Sequence, residues 1–222
     1  MKLKNLSRNY KIALTGLFSA LCVLLAFTPF GYLKLTPFIH MTIVHIPALV
    51  VTVLGGLVPG IVTGLVFGLS SIILNSINPG AWSLFFANPM VSIVPRMMFP
   101  VMAWLAFRAL NMIPHMPKTV SAGISAAVGT LFNTIFVMGS IYIFYASDLV
   151  SKMAGTFAKY GYNVDGISGF KMYLIILASS ILSNGLLEMA GAVVITVAVA
   201  GSTYIVKGRK SKFSKLDEES QE

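Results

Sequence analysis

Apolar residues in this chain gather into long runs that are separated by short polar stretches. Each run is about as long as the ~20 residues that a helix needs to cross a bilayer. The runs therefore predict six membrane-spanning helices, at 12–30, 42–56, 57–77, 89–112, 120–145 and 170–206. The glycines and proline at 55–60 are a turn signal, so the second and third helices should form a hairpin with short or tilted members.

The composition agrees with membrane helices and excludes a soluble domain. Apolar residues make up 56% of the 222 residues and charged residues 10%, whereas soluble domains have about 25% charged residues. The apolar runs recur along the whole chain and leave no room for a separate soluble domain. We therefore predict an all-α membrane protein with one domain: a basic N-terminus at 1–11, a six-helix bundle at 12–206 and a charged tail at 207–222.

Lysine and arginine residues beside the predicted helices indicate the orientation, because cytoplasmic flanks of membrane helices carry an excess of them. With six helices both termini lie on one side of the membrane. That side has eleven Lys and Arg residues and the opposite side has four. We therefore expect cytoplasmic termini, with the first, third and fifth loops on the outer face. The net charge of +9 is mostly this topology signal and does not require a nucleic-acid partner.

The outward loops carry polar and aromatic residues that no turn requires, which is typical of a binding face. The first loop contains His40, and His45 stands at the start of the second helix. The fifth loop, 146–169, is either a lid or a glycine-rich connector without a role.

The third loop, 75–89, combines turn residues with three large aromatic side chains, Trp82, Phe85 and Phe86, and ends at Asn88. A solvent-exposed connector rarely holds three such side chains. The loop is therefore expected either to fold back onto a pocket or to enter the membrane interface as an aromatic anchor.

Four polar residues lie inside apolar runs, where each needs a partner away from lipid. They are Arg96, Asn133, Asn184 and Glu188. Asn184 and Glu188 are four residues apart and share a helix face. Arg96 and Glu188 either form an ion pair between two helices or, with the asparagines, bind the carboxylate, hydroxyl and amide groups of a ligand.

The sequence indicates binding and contains no motif for turnover. It has no phosphate-binding loop for ATP and no serine, histidine and acid constellation. His40 and His45 are five residues apart, a spacing that does not fit a helical metal pair. We expect no catalytic residue, no metal and no cofactor in this chain. The rivals are a small membrane enzyme that uses Glu188 and a histidine, and a passive channel.

Small residues at Ala13, Gly16 and Ala20 fall three and four apart and give the first helix one flat face. Such a stripe lets helices approach closely, either inside the bundle or in contact with another protein.

The whole chain resembles the substrate-binding S components of energy-coupling factor (ECF) vitamin transporters of the pantothenate type. The resemblance rests on TIVHIPALV at 42–50, GIVTGLVFGLSS at 60–71, NPMVSIVPR at 88–96, and the basic N-terminus before ALTGLFSA at 13–20. It implies a six-helix bundle with cytoplasmic termini and a vitamin pocket near the outer face, closed by the outward loops. Its implied partners are a membrane coupling subunit and two cytoplasmic ATPases, which use the ATP. The coupling subunit would dock on the small-residue face, where Gly16 replaces the first alanine of the family's AxxxA-like stripe.

Pantothenate carries one carboxylate together with hydroxyl and amide groups, which suits a pocket with one arginine and several neutral polar groups. Arg96 would be its counter-ion. Pyridoxine-like and hydroxymethylpyrimidine cargos, the alternatives, are neutral or cationic and do not require an arginine. The candidate substrate-binding residues are Arg96, Asn133, Asn184, Glu188, His45, His40, Trp82 and Asn88.

Overall fold

The computed structural model of the chain describes residues 7–29, 31–34, 40–77, 83–146, 166 and 168–219. Side chains at 32–41, 84, 183–184 and 207–219 lie outside that description. Apart from one short β-hairpin, the regular structure within these ranges is helical. The predicted all-α architecture is confirmed, and the hairpin is an addition to it.

Nine helices and the hairpin follow one another along the described ranges. They are α1 (Arg8–Ala26), β1 (Tyr32–Lys34), β2 (His40–Thr42), α2 (Ile46–Gly55), α3 (Leu57–Ile77), α4 (Ser83–Phe86), α5 (Pro89–Ser92), α6 (Val94–Leu110), α7 (Lys118–Tyr145), α8 (Gly169–Ser180) and α9 (Leu186–Glu219). A π-helical turn, Ile181–Gly185, joins α8 to α9 and interrupts the predicted sixth helix.

Five helical segments of the described chain are long and apolar enough to cross a membrane. They are Arg8–Ala26, Leu57–Ile77, Pro89–Leu110, Lys118–Tyr145 and Leu186–Val206. Large apolar side chains on their outward surfaces, such as Ile12, Val58 and Val194, are more than half exposed. Exposure of this apolar surface to water would be unfavourable, whereas the hydrocarbon core of a bilayer would cover it.

The second helix begins later than the apolar run predicts. Residues 40–42 form β2, which pairs with β1 in an antiparallel register that sets Tyr32 opposite Thr42. Pro47, which has no N–H to donate, then occupies the first turn of α2. The helix ends at Gly55, and the C-cap residue Gly56 has a φ of 98°, which favours glycine because it has no Cβ.

The short length of α2 determines how deep its first residue lies. Gly56 alone joins α2 to α3, and the two helices form the predicted hairpin. With a rise of 1.5 Å per residue, the 21 residues of α3 span about 31 Å, and the 10 residues of α2 span about 15 Å. The start of α2 therefore lies about half-way along α3, inside the bundle.

Three glycines, at i, i+4 and i+8 on α3, allow this helix to pack very close to its neighbours. A Cβ at Gly64 would lie 2.1 Å from the carbonyl O of Arg96, and one at Gly68 would lie 2.8 Å from Cα of Ile93. A Cβ at Gly60 would meet Thr52 Oγ1. Small residues at such spacing permit backbone contact between membrane helices, so the first turn of α6 is held directly against α3.

Candidate functional site

His45 is the most deeply buried candidate residue, with no exposed surface. Its Nε2 lies 3.1 Å from Oγ1 of Thr130 on α7, and its ring meets that of Phe99 on α6 edge to face at 6.3 Å between centroids. Oγ1 of Thr130 also donates to the carbonyl O of Ala126 at 2.9 Å. The hydroxyl proton is thereby occupied, which favours the tautomer in which His45 Nε2–H donates to Thr130.

The backbone of Thr42 lies beside the ring of His45, yet Nδ1 has no hydrogen bond of good geometry with the residues that the structure describes. A buried ring nitrogen of this kind is unfavourable until a partner arrives. His45 thus joins α2 to α6 and α7 and keeps one ring nitrogen for a further partner.

Arg96 lies in the first turn of α6 and is 6% exposed. Its Nη1 donates to the carbonyl O of Val91 at 2.6 Å. The guanidinium carbon lies 5.5 Å from the ring centroid of Phe67 on α3 and 4.9 Å from that of Phe86 on α4. Aromatic faces attract a cation electrostatically, so the two rings stabilise the charge and restrict its position.

Residues 83–86 of the third loop fold back onto the bundle, as one of the two sequence interpretations expected. Phe85 is fully buried and packs in a cluster that includes Val91, Val137 and Ile141. Phe86 contacts Arg96 as described. Trp82, which the sequence also placed in the site, lies outside the described residues.

Asn133 is 8% exposed and lies one turn beyond Thr130 on the same face of α7. Its Oδ1 is buried and has no hydrogen-bond donor in the described part of the chain. Arg96 likewise lies one turn from Phe99 on α6. Thr130 and Phe99 both contact His45, and from each of them the next turn, at Asn133 or Arg96, leads toward the cluster around Phe85. Arg96 and Asn133 therefore occupy one level of the bundle, on two helices that pack against each other.

Glu188 is 5% exposed and belongs to the first turn of α9. Its Oε1 accepts a hydrogen bond of 2.5 Å from the backbone N–H of Thr42 at the end of β2. The carboxylate thereby links the β1–β2 hairpin to α9. Arg96 instead donates to the carbonyl O of Val91. The described hydrogen bonds of Arg96 and Glu188 thus go to Val91 and Thr42, and not to each other as the ion-pair alternative expected.

The remaining polar candidates have other surroundings. Asn88 caps α5, because its Oδ1 accepts from the backbone N–H of Met90 at 2.9 Å. His40 belongs to β2 and Asn184 to the π-helical turn, but both side chains lie outside the description. π-helical turns often occur at functional sites, and this one immediately precedes α9 and its Glu188.

The predicted small-residue face points away from the bundle. Ala13, Gly16 and Ala20 are all exposed on α1. A Cβ at Gly16 would meet nothing within 4 Å. This face therefore does not pack inside the bundle, which was one of the two roles that the sequence left open.

Two side chains in the site were missed from the sequence. Phe67 looked like one more apolar residue of the third run, and only its contact with Arg96 distinguishes it. Thr130 did carry a signal, because it lies three residues before Asn133 and so shares its helix face.

Two comparisons relate the chain to known proteins. The family described as "ECF transporter, substrate-specific component" matches residues 10–200 of this chain. The pantothenic acid transporter PanT of Lactococcus lactis subsp. cremoris is 23% identical over 209 residues, which cover 87% of this chain and 93% of that protein.

Proposed function

The chain belongs to the substrate-specific components of ECF transporters, and we propose that it captures pantothenate at the outer face of the membrane. It is a multi-pass integral protein of the cell membrane, and its family takes part in vitamin transport without being a class of enzymes. The name of the Lactococcus relative supports pantothenate as the vitamin.

The position of Arg96 carries the proposal. A buried guanidinium is unfavourable in a membrane unless an anion or strong acceptors offset the cost. The rings of Phe67 and Phe86 flank the charge and keep water from it, which strengthens its attraction for a carboxylate. Pantothenate has one carboxylate, and in this proposal Arg96 binds it through charge-assisted hydrogen bonds.

Two buried polar atoms inside the bundle suit the rest of the vitamin. Oδ1 of Asn133 and the ring nitrogen Nδ1 of His45 have no hydrogen-bond partner among the described residues, and the hydroxyl and amide groups of pantothenate can supply partners to both. A ligand that satisfies both atoms relieves two unfavourable buried groups when it binds. Asn184, His40, Trp82 and Asn88 remain candidate binding residues in this proposal, and Glu188 would act on the site through Thr42.

We assign delivery of the vitamin to partner subunits. The exposed face of Ala13, Gly16 and Ala20 would dock on the membrane coupling subunit, and two cytoplasmic ATPases would supply the energy. The termini would then be cytoplasmic, as the distribution of Lys and Arg indicates. The short α2 would serve as the second of six membrane helices.

Binding of radiolabelled pantothenate to the purified chain tests the proposal. Wild type should bind pantothenate in preference to pyridoxine and hydroxymethylpyrimidine, and the bound vitamin should be recovered unchanged. Arg96→Ala should lose nearly all binding while still unfolding cooperatively. Arg108→Gln, which removes a cation that lies over Trp104 instead, should bind as wild type does.

Two results would overturn the assignment. A folded Arg96→Ala protein with wild-type affinity would remove Arg96 from the site, and preference of the wild type for a neutral vitamin would remove pantothenate. Chemical conversion of the vitamin by the isolated chain would instead favour the small membrane enzyme.

A further inference from the structure

A groove of about 890 Å³ opens on the surface of α1, away from the site of Arg96. The first three turns of α1, the α2–α3 turn and Trp104 of α6 form its walls. Its size lies within the ~300–1,000 Å³ of typical ligand sites. We propose that this groove binds one anionic phospholipid, with the phosphate at its basic end and an acyl chain along its length.

The charges of the groove lie at one end. Arg8 and Lys11 line it there, and its described lining contains no acidic residue. Basic residues at the end of a membrane helix attract anionic lipid headgroups. The groove therefore complements a phosphate at that end and would disfavour a cation.

Beyond Arg8 and Lys11, the walls of the groove are mainly apolar. Val62 and Trp104 contribute hydrocarbon and ring surface, and Gly16 leaves open space between them. Two hydroxyl groups also line the groove, but both are already engaged. Thr15 Oγ1 donates to the carbonyl O of Lys11 at 2.7 Å, and Ser19 Oγ lies 3.2 Å from Thr63 Oγ1. An acyl chain thus leaves neither hydroxyl without a partner.

The length of the groove matches one leaflet of a bilayer. From Arg8 to Ser19 the helix rises about 16 Å at 1.5 Å per residue, and half of the ~30 Å hydrocarbon core is about 15 Å. A phosphate at Arg8 and Lys11 therefore places the acyl chain at its ordinary depth. The inference does not depend on which vitamin the chain binds, but Gly16 also belongs to the face proposed for the coupling subunit, so the lipid would have to leave when that subunit docks.

Quenching of Trp104 fluorescence by brominated lipids measures contact in the groove. The chain has two tryptophans, so the full-length protein carries Trp82→Phe to leave Trp104 as the only one. It is reconstituted into phosphatidylcholine vesicles that contain a fixed fraction of either brominated phosphatidylglycerol or brominated phosphatidylcholine. Brominated phosphatidylglycerol should quench Trp104 more strongly, with a relative binding constant above one.

Arg8→Gln and Lys11→Gln should each lower that constant, on the order of fivefold per cation. Lys118→Gln is the matched control, because Lys118 lies over Tyr204 and not in the groove, and it should change nothing. Gly16→Leu should reduce quenching by both lipids, since its side chain enters the open space.

Equal quenching by the two lipids, or quenching that survives both Arg8→Gln and Gly16→Leu, would refute the site. Native mass spectrometry of the wild-type chain from mixed phosphatidylglycerol and phosphatidylcholine bicelles gives an independent measurement. One retained phosphatidylglycerol, lost in Arg8→Gln, supports the proposal, and equal retention of the two lipids contradicts it.

Discussion

Gly64→Ala should damage the binding site without touching any side chain in it. The added Cβ would lie 2.1 Å from the carbonyl O of Arg96. To reach even a 3.0 Å contact the two backbones must separate by about 0.9 Å (3.0 − 2.1). Because the obstacle is backbone, a change of rotamer cannot relieve it, and the first turn of α6 must move with Arg96.

The expected size of the effect follows from the cost of overpacking, about 1–3 kcal/mol. If that cost falls on the arrangement that binds the vitamin, affinity decreases by roughly 5- to 150-fold. Titration calorimetry with pantothenate measures the affinity, and thermal unfolding in detergent measures the accompanying loss of stability. Both should decline together in Gly64→Ala.

Gly139→Ala is the matched control, because Gly139 also lies within a long membrane helix but a Cβ there meets nothing within 4 Å. Alanine is the better helix former by about 1 kcal/mol, so Gly139→Ala should keep its affinity and unfold at the same or a higher temperature. Wild-type affinity and stability in Gly64→Ala would refute the close contact of α3 with α6.

Three further variants test other contacts. Thr130→Val leaves Nε2 of His45 without its partner and should cost about 1–3 kcal/mol in thermal unfolding, whereas Thr130→Ser should not; equal stability would contradict the bond. Glu188→Leu should speed amide hydrogen exchange at Thr42 more than Glu188→Gln, which keeps an acceptor; equal exchange would show that the hairpin is held otherwise. Gly16→Trp should bind pantothenate normally yet abolish ATP-driven uptake in cells, and continued uptake would exclude docking there.

The hydrophobic runs were enough to predict the five long apolar segments, because an apolar segment of spanning length has few alternatives in a membrane. The boundaries near residue 42 were wrong, since pairing of β2 with β1 depends on residues distant from the run. The π-helical turn was missed for a similar reason, because nothing in ILSNG at 181–185 opposes an ordinary helix.

Charge was the best guide to the site, because a cation or carboxylate inside a membrane run always requires an explanation. Arg96 and Glu188 were both singled out in this way as candidates, and both are buried. Phe67 could not be found, because its role depends on the distance between α3 and α6 and not on its residue type. That distance is set by Gly64 and Gly68, because the absence of their side chains lets α3 approach α6 closely.

The half-length of α2 explains how a loop residue can reach a site inside the bundle. A second helix of full spanning length would carry His45 to the membrane surface, some 15 Å from its present level. Because α2 has only 10 residues, the chain must descend from the surface before α2 begins, and the β1–β2 hairpin makes that descent. The bond of Thr42 to Glu188 fixes its lower end. Displacement of the β1–β2 hairpin would therefore move His45 away from Thr130 and Phe99 while the long helices stay in place.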